Sequence, residues 1–100
     1  MNWLEAFALT CAIELPVVVL IAGRGLRRRA AVDSLAANLL THPAAWYLVR
    51  STGVPWLAAE VVVAAVELLV YRRVTRLTWL RAAAASVAAN GVTAALSFVL

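Results

Sequence analysis

Apolar residues run along this chain in four long blocks that short basic or polar segments separate. The blocks span residues 3–22, 30–49, 55–74 and 80–100. Apolar residues fill most positions of a block rather than one face, and each block has about the 17–25 residues that a membrane-crossing helix needs. The pattern predicts an all-α integral membrane protein with four transmembrane helices.

The segments between the blocks are all short and read GRGLRRR, RSTGV and RRVTRLTW. Short connections place consecutive helices side by side and antiparallel. No linker or low-complexity stretch divides the chain. We therefore expect one four-helix transmembrane domain over residues 1–100.

The composition favours the same class. Hydrophobic residues make up 65% of the chain and charged residues 14%. In a soluble domain about 45–50% of the residues are apolar and about 25% are charged. So few charges could not hydrate the surface of a soluble domain. The first block is not predicted to be a signal peptide, because it has no basic start and Glu14 interrupts its apolar run.

The arginines predict the orientation in the membrane. Eight of the nine lie between blocks 1 and 2 or around the turn between blocks 3 and 4, and only Arg50 lies at the other side. Short loops rich in arginine stay in the cytoplasm. We expect both arginine loops inside and both termini outside, in the bacterial cytoplasmic (inner) membrane. The loops should contact anionic headgroups, and the positive charge does not indicate nucleic acid.

The aromatic residues fall near the two predicted membrane surfaces. Trp3, Trp46 and Trp56 are close to the outer boundary, and Tyr71 and Trp79 are close to the inner one. Tryptophan and tyrosine favour this interface because one end is apolar and the other forms hydrogen bonds. We expect them to anchor the helices, with lining of an outer vestibule as the alternative for Trp56.

Three carboxyl groups interrupt the apolar blocks: Glu14 in block 1, and Glu60 and Glu67 in block 3. An ionisable group at the bilayer centre costs from about 2.5 to more than 10 kcal/mol. Such groups face other protein or water, and they often mark a pathway or a binding site. These glutamates are the strongest indication of function in the chain.

Several polar residues share one depth. With a rise of 1.5 Å per residue, each lies roughly 12–18 Å from the end of its block, near the middle of a core about 30 Å thick. They are Glu14, Asn38, His42, Glu67 and Asn90. Glu60 is shallower, two turns from Glu67 on nearly the same stripe. We predict that these six residues form a protonatable or cation-binding centre, with Glu60 on the outward route.

Block 2 contains Pro43, which lacks an N–H and biases His42 away from helical geometry. This predicts a kink or break near residues 41–43. Broken helices form binding sites in transporters, and the alternative is a kink without function. In block 4, Ser86, Asn90 and Thr93 share one face, which is typical of close helix packing; Asn90 could also hold a carboxyl group.

The remaining polar residues indicate no enzyme. The chain has no Ser-His-Asp set at a plausible depth, no H-E-x-x-H and no C-x-x-C, so we expect no catalytic residue and no cofactor. His42 and the glutamates are donor types that zinc or manganese accept, but one histidine without a fixed spacing leaves the metal unassigned. Cys11 should be a small buried hydrophobe. Asp33 should cap helix 2 or pair with Arg28 or Arg29.

Two classes of function fit these patterns. The first is a small proton- or cation-coupled transporter or ion-conducting protein with a buried carboxylate centre, working as a homo-oligomer. The alternative is a non-catalytic structural or assembly subunit of a larger membrane complex, in which the polar centre joins the helices. The clustering of carboxyl groups at one depth favours the first class.

Overall fold

The computed structural model of the chain describes residues 3–97, and most of these residues are helical, with no strand among them. The elements are α1 (Trp3–Ala22), a 3₁₀ turn (Arg24–Leu26), α2 (Arg27–Thr52), α3 (Trp56–Arg73) and α4 (Trp79–Ser97). The prediction of four helices is confirmed. Helix α2 is longer at both ends than predicted: it begins at Arg27 because the arginine run is itself helical, and it continues to Thr52. Residues 98–100 of the predicted fourth helix lie outside the described residues.

The helices form a ring in which each packs on two others. Helix α1 contacts α2 and α4, and α3 contacts α2 and α4, so α1 and α3 lie diagonally across the bundle. The bundle measures 39 × 22 × 19 Å. One end, here called the arginine end, carries the turns at Gly23 and Arg76. The other, called the open end, carries the start of α1, Arg50 and Trp56.

Apolar packing closes the arginine end. Its buried cluster consists mostly of alanines around Tyr71: Val18, Ala22, Ala30, Tyr71, Leu77, Ala82, Ala85 and Ala89. The prediction that Tyr71 anchors at the membrane surface is wrong, since the side chain is fully buried. The small alanines leave room for its ring, and its hydroxyl donates to Ser34 Oγ at 3.1 Å, which satisfies the polar tip.

Hydrogen bonds tie the turns of the arginine end to the helices. Thr75 Oγ1 donates to Asp33 Oδ2 at 2.7 Å, and Arg29 Nε lies 3.8 Å from the same oxygen. Pairing of Asp33 with an arginine is thus confirmed for Arg29. The capping role is wrong, because α2 begins at Arg27 and Leu26 occupies the capping position without a side-chain bond.

Helix α2 runs without interruption through Pro43. The predicted break at residues 41–43 is therefore wrong, while a kink within the continuous helix stays a prediction. Proline removes only its own N–H from the helical ladder. The hydroxyl of Thr41 donates to the carbonyl of Ala37 at 2.9 Å, which ties the turn before Pro43 to the preceding one.

The outside of the bundle is apolar and much of its centre is polar. Leu40 is 77% exposed and Leu80 is 81% exposed, whereas Ser34, Ser86 and several other polar side chains are buried. Among the helices that the structure describes, only α1 is long and apolar enough, by length and composition, to cross a membrane. Helix α3 carries two glutamates and two arginines in its 18 residues.

Candidate functional site

Glu14 of α1 and Glu67 of α3 meet at the centre of the bundle. Their side chains are 1% and 0% exposed, and the two carboxyl groups are close enough to interact with each other. Because α1 and α3 are diagonal neighbours, both side chains must point to the bundle axis. Two ionised carboxylates have no donor, so a hydrogen bond between them requires one proton.

Helix α4 holds the Glu67 side of this pair. Asn90 Nδ2 donates to Glu67 Oε2 and to the Ser86 carbonyl, both at 2.8 Å, using the two hydrogens of its amide. The Ser86 hydroxyl donates to the Ala64 carbonyl at 2.5 Å and joins α4 to α3. Asn90 is therefore fixed by its own helix while it orients the carboxyl group.

Threonines approach the pair from two further directions. Thr93 Oγ1 lies 3.5 Å from Glu14 Oε2 and 3.0 Å from the Ala89 carbonyl, so its single hydrogen can serve either acceptor. The Thr41 side chain contacts Glu67. The pair is thus surrounded by neutral polar groups from α2 and α4.

Four buried polar atoms around the pair have no hydrogen-bond partner among the side chains and backbone groups described. They are Glu14 Oε1, Asn38 Nδ2, His42 Nδ1 and Glu67 Oε1. A shared proton would provide a donor to one oxygen of the pair. Asn38 is 1% exposed, and a buried N–H without an acceptor is costly. These four atoms are therefore the unpaired polar groups at the centre of the bundle.

A small chamber of about 20 Å³ lies beside Glu14. Its polar lining comes from all four helices: Thr10, Glu14, Asn38, Thr41, His42, Glu60, Asn90 and Thr93. A larger cavity of about 340 Å³ lies on the open-end side. The two share several lining residues, including Thr10, His42 and Glu60. Together they lead from the open end to the carboxyl pair.

Aromatic side chains and one arginine line the larger cavity. Trp46 and Trp56 both contribute, which agrees with the vestibule alternative for Trp56. The guanidinium of Arg50 lies 4.7 Å from the centre of the Trp46 ring. Glu60 and Arg50 give this cavity one carboxyl and one guanidinium group.

His42 lies at the junction of the two cavities rather than against the carboxyl pair. Its ring centre is 5.5 Å from that of Phe7, 6.1 Å from Trp3 and 6.4 Å from Trp46. The described contacts include no hydrogen bond between His42 and Glu14. His42 therefore belongs to the same polar region as Glu14 without a described hydrogen bond to it.

The six predicted site residues fall in one region of the bundle. Five of them line the small chamber, and Glu67 reaches it through Glu14. Sequence reasoning missed Thr10 and Thr41. Thr10 precedes Glu14 by one helical turn, and that spacing could have identified it. In the described part of the chain, no three His, Cys, Asp or Glu side chains are arranged to hold a metal ion.

Comparison with known proteins adds no relative. No protein-family model, curated protein or solved structure matches this chain. The function must therefore be argued from the geometry of the site.

Proposed function

We propose that this chain is a small integral membrane protein that couples binding of protons or cations at the Glu14–Glu67 pair to transport or conduction across the bilayer. One observation carries the proposal: two buried carboxyl groups interact at the centre of the bundle, and two adjoining cavities lie between them and the open end. A carboxyl pair can gain and lose protons or hold a cation. The cavities give it access to one side of the membrane.

The distribution of side chains supports placement in a bilayer. Large apolar side chains such as Leu40, Leu57 and Leu80 point outward from the bundle. A water-soluble protein rarely exposes so much apolar surface in continuous patches. In the proposed orientation the arginine loops lie in the cytoplasm beside anionic headgroups, and the open end faces outside.

Energetics support a role beyond helix packing. Well-packed apolar residues often stabilise a core at least as well as buried ionisable ones, and a glutamate in the membrane is costly. Three glutamates nevertheless lie on two facing helices, and Glu60 borders the cavities. A function that uses the carboxyl groups explains this cost.

A homo-oligomer is part of the proposal. The larger cavity, about 340 Å³, is at the lower end of the about 300–1,000 Å³ typical of ligand sites. A second copy would add helices to enclose a longer pathway. The oligomer would form through the exposed apolar faces.

One observation favours a second candidate, the structural or assembly subunit. The apolar cluster around Tyr71 fills the arginine end, and the two cavities described above lie toward the open end. A transporter would open this end in another conformation. A subunit whose polar centre only joins the helices would not need to open the arginine end.

The test is Glu67→Gln in purified protein reconstituted in vesicles, with Glu5→Gln near the exposed start of α1 as the matched control. The amide keeps the volume and the bond to Asn90 can re-form, so we expect the fold and detergent stability to stay within about 1 kcal/mol. Flux of protons or cations, measured with a fluorescent indicator, should be lost in Glu67→Gln and kept in the control.

The subunit candidate makes the opposite prediction. Glu67→Gln would then be nearly silent, whereas Glu67→Leu would change the oligomeric state or the association with other membrane subunits. Absence of flux in the unsubstituted protein would also contradict transport.

A further inference from the structure

The chamber beside Glu14 has the dimensions of a site for one water molecule. Its volume is about 20 Å³, and a water needs about 10–15 Å³ together with two to four polar partners. Asn38 Nδ2, His42 Nδ1 and Glu14 Oε1 are buried atoms without a partner on residues that line it. The volume of the chamber and the unpaired atoms of its lining residues therefore both indicate one water molecule.

The chemistry of the lining fits water better than a metal ion. Calcium and magnesium take six or more oxygen ligands, and an N–H that faces a cation is repelled. Asn38, 1% exposed, lines the chamber and has an amide donor without an acceptor, while Glu14, which also lines it, has an unpaired carboxyl oxygen. Water both accepts and donates, so it can satisfy the two at once.

The chamber joins Glu60 to the carboxyl pair. Glu60 lines both the large cavity and the chamber, and Glu14 lines the chamber alone. A group that enters from the open end therefore reaches Glu60 before Glu14. Beyond the pair, the packing around Tyr71 closes the bundle.

We propose that the species handled by the centre is the proton, and that it passes from Glu60 to the Glu14–Glu67 pair through one water held by Asn38. The inference rests on the proposed function and names the ion that the function left open. In each transfer the Glu60 carboxyl gives its proton to the water. The water gives a different proton to an unprotonated oxygen of the pair, so one O–H bond breaks and one forms at each step. Glu60 ends ionised, and the pair holds one proton more.

The groups that face this path come from every packed helix. Helix α1 contributes Glu14, with Cys11 nearby; α2 contributes His42, and Arg50 at the cavity mouth; α3 contributes Glu60 and Glu67. Helix α4 contributes Asn90 and Thr93, which do not titrate. The titratable groups along the path are thus the three glutamates, His42 and the Cys11 thiol.

Labelling with dicyclohexylcarbodiimide tests the identity of the ion. The reagent reacts with a protonated carboxyl: the acid proton moves to a carbodiimide nitrogen and the carboxyl oxygen bonds to its central carbon. We expect the adduct on Glu14 or Glu67, measured by mass spectrometry of the purified protein in detergent, to fall as pH rises. The pH profile should be the same in sodium, potassium or choline chloride at equal ionic strength.

Protection by sodium or potassium, but not by choline, would overturn the inference, because a metal cation would then compete for the carboxyl groups. The proposed function would survive as cation coupling, provided that Glu67→Gln still abolishes flux. If Glu67→Gln does not abolish flux in the vesicle assay, the proposed function itself is contradicted.

Substitutions at Glu60 and Asn38 test the path. Glu60→Gln keeps the side-chain volume and should lower proton flux into vesicles roughly tenfold or more, as removal of a positioned proton donor does. Asn38→Leu removes the amide that orients the water and should reduce flux similarly, whereas Asn38→Ser keeps a donor and should retain more. Leu40→Ala, on the exposed face of the same helix, is the control.

Equal flux in the unsubstituted protein and in Glu60→Gln would contradict the path. If Asn38→Leu does not fold, the comparison of Asn38→Ser with Glu60→Gln decides, since the first should be the milder. A solvent isotope effect on the flux would further support transfer through water if the unsubstituted protein shows it and neither Glu60→Gln nor Asn38→Leu does.

Discussion

Single side chains determine how the carboxyl pair is held. Asn90 has two amide hydrogens, and it gives one to its own helix and the other to Glu67. Anchored in this way, the asparagine orients the carboxyl group with little loss of side-chain freedom on binding. The other oxygen of Glu67 has no hydrogen-bond partner among the described residues, and in the proposed function it is the one that takes the proton or cation.

Asn90→Leu should destabilise the bundle. The substitution leaves Glu67 Oε2 without its hydrogen-bond donor. Loss of the partner of a buried acceptor costs about 1–2 kcal/mol of unfolding free energy when no new hydrogen bond replaces it. Thermal or denaturant unfolding in detergent measures this change. Val92→Ala, on the exposed side of α4, is the control and should change stability less; equal effects of the two variants would contradict the role of Asn90.

At the scale of the elements, the turn after α1 depends on a glycine. Gly23 has a φ of 86°, a conformation that other residues adopt at a cost. A Cβ at this position would lie 2.8 Å from Arg81 Nη1. That same nitrogen donates to the Ala22 carbonyl at 3.1 Å and so links the end of α1 to α4.

Gly23→Ala should therefore weaken the arginine end. Backbone strain and displacement of the Arg81 guanidinium together should cost about 1–3 kcal/mol of unfolding free energy. Gly25→Ala is the matched control, because a Cβ there meets nothing within 4 Å and its φ is not positive. The two variants should differ in melting temperature; the hypothesis fails if they melt alike.

Helix α2 provides a second prediction at this scale. Because the helix is already continuous at Pro43, Pro43→Ala should restore one backbone hydrogen bond and raise stability by about 1 kcal/mol or more. Ion flux should be unchanged. A variant that is more stable but loses flux would show that the proline provides a hinge that transport needs.

The whole molecule has an apolar exterior, a polar centre and an uneven distribution of charge. Eight of its nine arginines lie at one end. Membrane proteins place such loops in the cytoplasm, and the open end with Trp46 and Trp56 would then face outside. Access to the carboxyl pair would be from that side.

Cysteine labelling tests this placement. In a Cys11→Ser background, Arg28→Cys should resist a membrane-impermeant thiol reagent applied to intact cells, and Ser51→Cys should react. Lysis should make both positions reactive. Reaction of Arg28→Cys in intact cells would contradict the orientation, and recovery of the protein in the soluble fraction without detergent would contradict insertion in the membrane.

The sequence alone determined which elements form and at what height along each helix their polar residues lie. Apolar blocks of helical length fix the four helices within a few residues, and the rise per residue sets the height of Glu14, Glu67 and Asn90. These quantities depend only on local geometry along one helix. The sequence could therefore place the polar residues at one level, although it could not establish that they touch.

Only the tertiary structure decided which side chains meet, because rotation and packing of helices depend on contacts between distant residues. Packing brought Glu14 against Glu67 across the bundle, moved His42 into an aromatic cluster and buried Tyr71 among alanines. It also kept α2 helical through Pro43, since one lost hydrogen bond is small beside the packing of a 26-residue helix. Cavities form between packed helices, so their position toward the open end also depended on the tertiary structure.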